Sequence, residues 1–480
     1  MAEREDNSVR AMLNRRRFLG MTSTLAAAGA LAAACGSNTG RNESSSTPAA
    51  STGAGGGAPT GSSAAAGTGS GAASGSGSGA APASGTSGSG GTGGKPSLSQ
   101  WYHAYGEDGT EAAVKKYAAA YPDATVTVGW YPGDYDSKVA AALLTDAGPD
   151  VFESGNGPNI DEIQGGQVIP LDGILGDAED DFTESMIERM SYDGHLYAVP
   201  QVIDMQLLVY RTSMLDQAGV KPPTTYDELA DAAKKLTTKD VKGLFVGNDG
   251  GVSTLVGPVL WSVGADYLTK DNKPGFTDPA VGTALGRLHE LFTSDSLLLG
   301  APTDWSDPSA ITQGLCAMQW TGLWTFPALQ EALGDDFGVL PWPKYATDGA
   351  GAPSVPIGAY GSCVSAKSKN PDAAKAYVKW LWVDNTDDQL DFAQSYGFHI
   401  PSRKSVAAKA DKLKSGVAAD AVQILQQNGH AQTPLLWTPA AGTAMSDAVS
   451  KIIKDGADPQ QQLAGVISKT QSELDRVLKK

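Results

Sequence analysis

From Leu98 onward the sequence predicts an α/β fold, and three observations carry that prediction. Short alternating or wholly apolar runs are interleaved with segments whose apolar residues recur at helical spacing, Gly and Pro breaks fall between them, and the cycle comes round three times. Strands alternating with helices at this spacing imply βαβ units and a largely parallel sheet.

The first cycle opens with LSQWYHAY as a strand. A helix from Thr110 to Tyr121 follows and stops at Pro122, and ATVTVGWY alternates as the second strand. Tyr135 to Leu144 suits a helix, and PDVFES forms a short buried strand after a Gly-Pro break. In the middle, HLYAVPQVI and MQLLVYR read as two strands with Asp204 between them. TYDELADAAKKLT is a helix announced by Pro222-Pro223-Thr224-Thr225, where Thr225 and Glu228 form a capping box. LFVGN, a helical stretch around Thr283 to Thr293, the strand GLCAMQWTG and the Pro-rich GVLPWPKY complete this part. The third cycle runs from SVPIGAYGSCVSA into a helix over Pro371 to Trp382, and the rest is helical. No internal repeat is visible.

The N-terminal part is of another kind. Asn14-Arg15-Arg16-Arg17-Phe18-Leu19 resembles the twin-arginine export signal and leads a weakly apolar run, Met21 to Ala34, too short to span a bilayer. Ala32-Ala33-Ala34-Cys35 resembles a lipobox, with Leu31 four residues before the cysteine. Residues 36 to 95 are nearly all Gly, Ser, Ala and Thr, a composition with no surface to bury, whose coil reach is roughly 40 Å. The expected plan is therefore a signal peptide over 1–34, a lipidated Cys35 with a tether to 95, and a folded part over 96–480.

A net charge of −17 argues against nucleic acid as a partner, because phosphate binding needs basic stripes. About 385 residues after the tether are enough for two ordinary domains. Besides Cys35 only Cys316 and Cys363 remain, so no disulfide scaffold is built.

Six phrases resemble one family in its order: Gly148–Phe152 (GPDVF), Ala198–Pro200 with Leu208–Arg211 (AVP, LVYR), Ala218–Val220 leading to Pro223–Leu229 (PTTYDEL), Ala317–Trp324 (AMQWTGLW), Lys369–Ala374 (KNPDAA) and Gly397–Arg403 (GFHIPSR). They are similar to the extracellular solute-binding proteins of ABC importers, in the branch that includes maltose-binding protein. The resemblance implies the two-lobed, type II periplasmic-binding fold, each lobe a mixed sheet flanked by helices and joined by a hinge. One lobe would take residues 97–203 and 355–402, the other 204–354 and 403–480. It further implies a monomer that holds a small solute, a carbohydrate, in the interlobe cleft and docks on ABC permease subunits, with no cofactor, on the extracellular face of the cell membrane through Cys35.

A sugar cleft needs aromatic faces for the apolar side of the ring and carboxylates or amides for its hydroxyls. The resemblance places Trp324, Trp261 and Trp437 among the aromatics, while Trp380 and Trp382 on their amphipathic helix fit a packing or a partner-facing role. His103, Tyr105, Gly106 and Glu107 follow the first strand, and Glu153 and Asn156 follow another; ligands bind outside the carboxyl ends of strands in open α/β sheets. Asp204 stands in an apolar run, where a carboxylate is costly unless paired or used. Tyr360 lies near the hinge return, and His399 and Arg403 close the rim, Arg403 reading equally as a surface charge. Under the lobe assignment Cys316 and Cys363 fall on different lobes, so a disulfide between them would resist hinge motion.

Among other classes, a secreted glycoside hydrolase needs only two carboxylates. Walker A, G-x-S-x-G and H-E-x-x-H sequences are absent, and His289-Glu290 lacks the second histidine. The same fold binding a polyol phosphate, a polyamine or iron remains the alternative in ligand.

Overall fold

A computed structural model describes residues 94–346 and 349–479; the signal, Cys35 and nearly all of the tether lie outside the described residues. Twelve strands are present among them: β1 (Ser97–His103), β2 (Thr125–Tyr131), β3 (Val151–Gly155), β4 (Ser191–Tyr192), β5 (His195–Leu196), β6 (Val199–Tyr210), β7 (Lys242–Phe245), β8 (Cys316–Gly322), β9 (Gly338–Leu340), β10 (Val355–Val364), β11 (Ile400–Pro401) and β12 (Gly429–Ala431). Ten form one hydrogen-bonded sheet whose main path runs β2-β1-β3-β10-β6-β8-β7.

The sheet is mixed rather than largely parallel. β1 lies parallel to β2 and β3, and β7 parallel to β8, as βαβ connections require. β10 is antiparallel to β3 and β6, and β6 is antiparallel to β8. Local patterning does not encode this, because β10 enters between β3 and β6 from much later in the chain. β6 is also one strand, not two. Val199–Met205 pairs with β10 and Gln206–Tyr210 with β8, so Asp204 sits mid-strand where one half of the molecule passes into the other.

Each half has its own apolar core. Val114, Tyr117, Val364, Tyr377 and Trp382 pack together in the first, and Leu229, Leu244, Val259, Trp320 and Ile452 in the second. Phe152, Met205, Phe245 and Ile357 belong to a third cluster that continues across the middle of the sheet. Trp382 is fully buried, as a packing role requires, and its helix is α-helical over Pro371–Lys379 before a wider turn over Trp380–Asp384. Cys316 and Cys363 are buried free thiols, and burial raises the pKa of both.

The capping box forms at the helix Tyr226–Leu236. The Thr225 hydroxyl accepts from Glu228 N at 3.3 Å, and the Glu228 carboxylate accepts from Thr225 N at 3.2 Å. Thr225→Ala is expected to cost about 1 kcal/mol, read from the urea midpoint at unchanged slope. The final helix, Pro459–Leu478, reaches back to the helix Ile160–Gln164: Arg476 pairs with Asp161 at 2.7 Å and Gln164 donates to the Val477 carbonyl at 2.8 Å.

Candidate functional site

The carboxyl end of β3 and the mid-strand crossing of β6 and β10 open onto a cleft of about 560 Å³. Asp136, Glu153, Asn156, Glu162 and Arg189 line it from the first half, and Trp261, Tyr267, Trp437 and Asp447 from the second. A narrower cavity adjoins, lined by Asp204, Trp324 and Tyr360, and both spaces share Gly155, Asn156, Gln206 and Gln432.

Asn156 is held where the two spaces meet. Its backbone takes the left-handed conformation, φ 61°, which Asn tolerates better than most residues. Its N–H donates to the Ala359 carbonyl at 2.8 Å, its side-chain oxygen accepts from Ala359 N at 3.2 Å, and its amide nitrogen donates to Gln432 at 3.1 Å. Trp324 is fixed by a hydrogen bond from its indole N–H to the Ser306 carbonyl at 2.9 Å and by the edge of Trp305. Its ring lies over Gly322, where a Cβ would come within 1.9 Å of Cζ3; only glycine allows that approach. In the wide cleft Trp261 donates to Asp266 at 3.0 Å and stacks on His430, while Trp437 meets Tyr267 and Phe276 edge-on.

Behind the narrow cavity lies a buried polar network. Glu153 is wholly buried, accepts from His103 N at 2.6 Å and from the Tyr105 hydroxyl at 2.9 Å, and pairs with the His103 ring. The His103 ring stacks on Tyr360 at 4.3 Å. His399 has a carboxylate on each ring nitrogen, Asp204 at 2.5 Å and Glu107 at 2.9 Å. Burial pulls the His399 pKa down, but the Asp204 and Glu107 carboxylates outweigh it and carry it up to about 10. Burial alone would raise Glu107, yet hydrogen bonding to His399 holds it below its ordinary value.

The structure thus brings Glu153, Asn156, Asp204, Trp261, Trp324, Tyr360 and Trp437 to the walls of the two spaces. His103, Tyr105, Glu107 and His399 stand one layer behind, and Gly106 is exposed on the loop after β1. Arg403 pairs with Asp181 at 2.8 Å. Wall residues that the sequence reading passed over are Gln206, Gln432, Asp136, Glu162 and Arg189. For Gln206 the signal was there. It lies two residues beyond Asp204 in the same apolar run and so on the same face of the strand.

Burial raises Glu162 to about 7 and Asp136 to about 6, so both favour the neutral form in the folded state. The unfolded chain gives up these protons at ordinary carboxylate pH, so stability falls as pH rises from about 4.5 to about 7. Glu162→Gln keeps the capping contact with Asn159 without the charge. It is expected to stabilise the protein by about 1–3 kcal/mol at pH 8 and by little at pH 4, in urea unfolding at the two pH values. Among the described residues no group of His, Cys, Asp and Glu is arranged to hold a metal ion, and no helix is long and apolar enough to cross a membrane.

Residues 103–382 match the family model of the bacterial extracellular solute-binding protein. The chain belongs to this family. The diacetylchitobiose-binding protein DasA of Streptomyces coelicolor is 27% identical over 357 residues, covering 69% of this chain and 79% of that protein. The GacH receptor of Streptomyces glaucescens, solved unliganded and with acarbose, superposes with a TM-score of 0.67 at 24% identity, over 79% of this chain and 99% of that one. A solute-binding protein of an ABC transporter from Thermotoga lettingae, bound to α-D-tagatose, gives 0.69 at 21% identity, over 79% and 100%. The fold is therefore the type II fold of solute-binding proteins.

Proposed function

We propose that this solute-binding protein is the receptor of an ABC importer, captures a carbohydrate between its halves and delivers it to permease subunits without altering it chemically. The observation that carries this reading is the make-up of two spaces that share a wall: Trp324 and the Asp204 carboxylate line one, Trp261 and Trp437 the other, and the amides of Asn156, Gln206 and Gln432 line both. Flat apolar faces next to planar groups able to engage neighbouring hydroxyls match a pyranose on both its sides. Sugar-binding relatives support the same class of ligand. Trp324, Tyr360, Asp204, Asn156, Trp261 and Trp437 meet the ligand, and Glu153 borders it. His103, Tyr105, Glu107 and His399 support them, and Gly106 shapes their loop. The lobes divide at about residues 203, 354 and 402. Export on the arginine-led signal and lipidation at Cys35 hold the domain on the extracellular face, on the tether.

A thermal-shift screen of the purified protein against mono- and oligosaccharides, with polyol phosphates, polyamines and ferric ion included, tests the ligand class. A hundredfold excess over Kd stabilises by about 2.7 kcal/mol. A shift confined to one saccharide series is the expected result; a shift only with a non-sugar solute would refute the carbohydrate reading.

A further inference from the structure

The structure assigns His399 and Glu107 as positioning residues that fix the Asp204 carboxylate for the ligand without touching the ligand themselves. This rests on the reading above, in which Asp204 meets the carbohydrate. Asp204 lines the narrow cavity, whereas His399 and Glu107 are not on its walls. All three side chains are at least 88% buried, with exposures of 12%, 5% and 10%.

The arrangement is built from three separate segments. Asp204 lies opposite Gly358 of β10, which puts no side chain beside it. β11 pairs Ile400 with Ile203, and this register brings His399, one residue earlier, against Asp204, one residue later. The backbone of His399 is pinned on both sides: its N–H donates to the Ala393 carbonyl at 3.0 Å, and its carbonyl accepts from Gln394 at 2.9 Å. Phe392 stacks on the ring. At Gly397 a Cβ would come 2.9 Å from Glu107 Oε1 and 3.0 Å from His399 Nε2, so glycine is what lets the two close together.

Two consequences follow for Asp204. One oxygen, Oδ1, is occupied by His399 Nδ1–H, so the carboxylate is held from behind while Asp204 stays on the cavity wall. The carboxylate also loses its rotor before the ligand arrives, so binding does not have to order it. Glu107 acts through the ring: by accepting from Nε2 it keeps both nitrogens as donors, so Nδ1–H is always directed at Asp204.

A double-mutant cycle on the full chain tests this. Dissociation constants for the tightest saccharide of the screen are measured by calorimetry for the wild type, His399→Gln, Glu107→Gln, Asp204→Asn and the pair His399→Gln with Asp204→Asn. His399→Gln and Glu107→Gln are each expected to weaken binding by about tenfold or more, the scale of a hydrogen bond to a charged group. In the Asp204→Asn background His399→Gln should add less than about twofold, because its effect runs through that carboxylate. Full additivity, or single variants with unchanged affinity, would overturn the assignment. NMR of 15N-histidine reads the clamp with no ligand present. His399 should stay doubly protonated at pH 8 and lose that signature in Asp204→Asn; a neutral ring at pH 8 overturns the proposal even if a saccharide binds. If the signature is present and no saccharide binds the wild type, the carbohydrate reading fails, the positioning role falls with it, and only a structural clamp survives.

Discussion

His399→Ala is expected to lower the unfolding free energy by about 3–5 kcal/mol at pH 7, the cost of leaving buried charges without their partner. Asp204 and Glu107 would then face each other across the space left by the ring, both still shielded from water. The pH dependence separates this from a simple packing loss. With a folded pKa of about 10 against an ordinary value near 6.5, the bound proton contributes fully below about pH 6.5 and is lost as pH rises through about 10. The groups facing the ring are Asp204, Glu107 and the edge of Tyr105, with His103 beyond Glu107. Burial holds the Tyr105 phenol well above its usual value, so it does not titrate in this window. The gap between wild type and variant should therefore shrink from pH 7 to pH 10.5 in urea titrations. A gap that stayed constant would mean the ring acts only by filling space.

Trp324→Ala is expected to weaken the bound carbohydrate by about 30–100-fold, the range for a central aromatic anchor. The indole is rigid before binding, tied to Ser306 and braced by Trp305, so its removal deletes a preformed face rather than a mobile one. Trp324→Phe should recover part of the loss, since a ring remains while the hydrogen bond to Ser306 goes. Gly322→Ala should mimic the alanine variant with Trp324 still in the chain, because its methyl group would displace the ring from its place. Calorimetric titration with the saccharide series decides the point. An unchanged Kd in Trp324→Ala would remove this residue from the ligand site.

The elements that periodicity marked were those whose identity is local. β1, β2, β3 and the helix Tyr226–Leu236 each carry their own alternation, break or cap, and each forms close to where the sequence predicts. Pairing is not local. The antiparallel insertion of β10 joins residues some 200 positions apart, so a reading by neighbours leaned toward a parallel sheet. The break expected at Asp204 failed for a related reason. One polar residue does not end a strand when a histidine from a distant segment satisfies it. Resemblance pointed to the polar residues after β1, but only coordinates separate the wall of the cavity from the layer behind it. Asp136, Glu162 and Arg189 look like ordinary surface charges in the sequence, and nothing local distinguishes them from the many that are.

The position of β10 also bears on how the chain is made. Synthesis proceeds from the N-terminus, so β3 and β6 emerge long before the strand that belongs between them. Until Val364 has left the ribosome, both keep an unpaired edge, the kind of surface that recruits stray strands. The tie between Arg476 and Asp161 joins residues 315 positions apart and waits longer still. The nascent chain therefore cannot finish its first half and set it aside. A chaperone that shields strand edges would therefore act on Val151–Gly155 and Val199–Tyr210 while the stretch between Tyr210 and Val355 is being made.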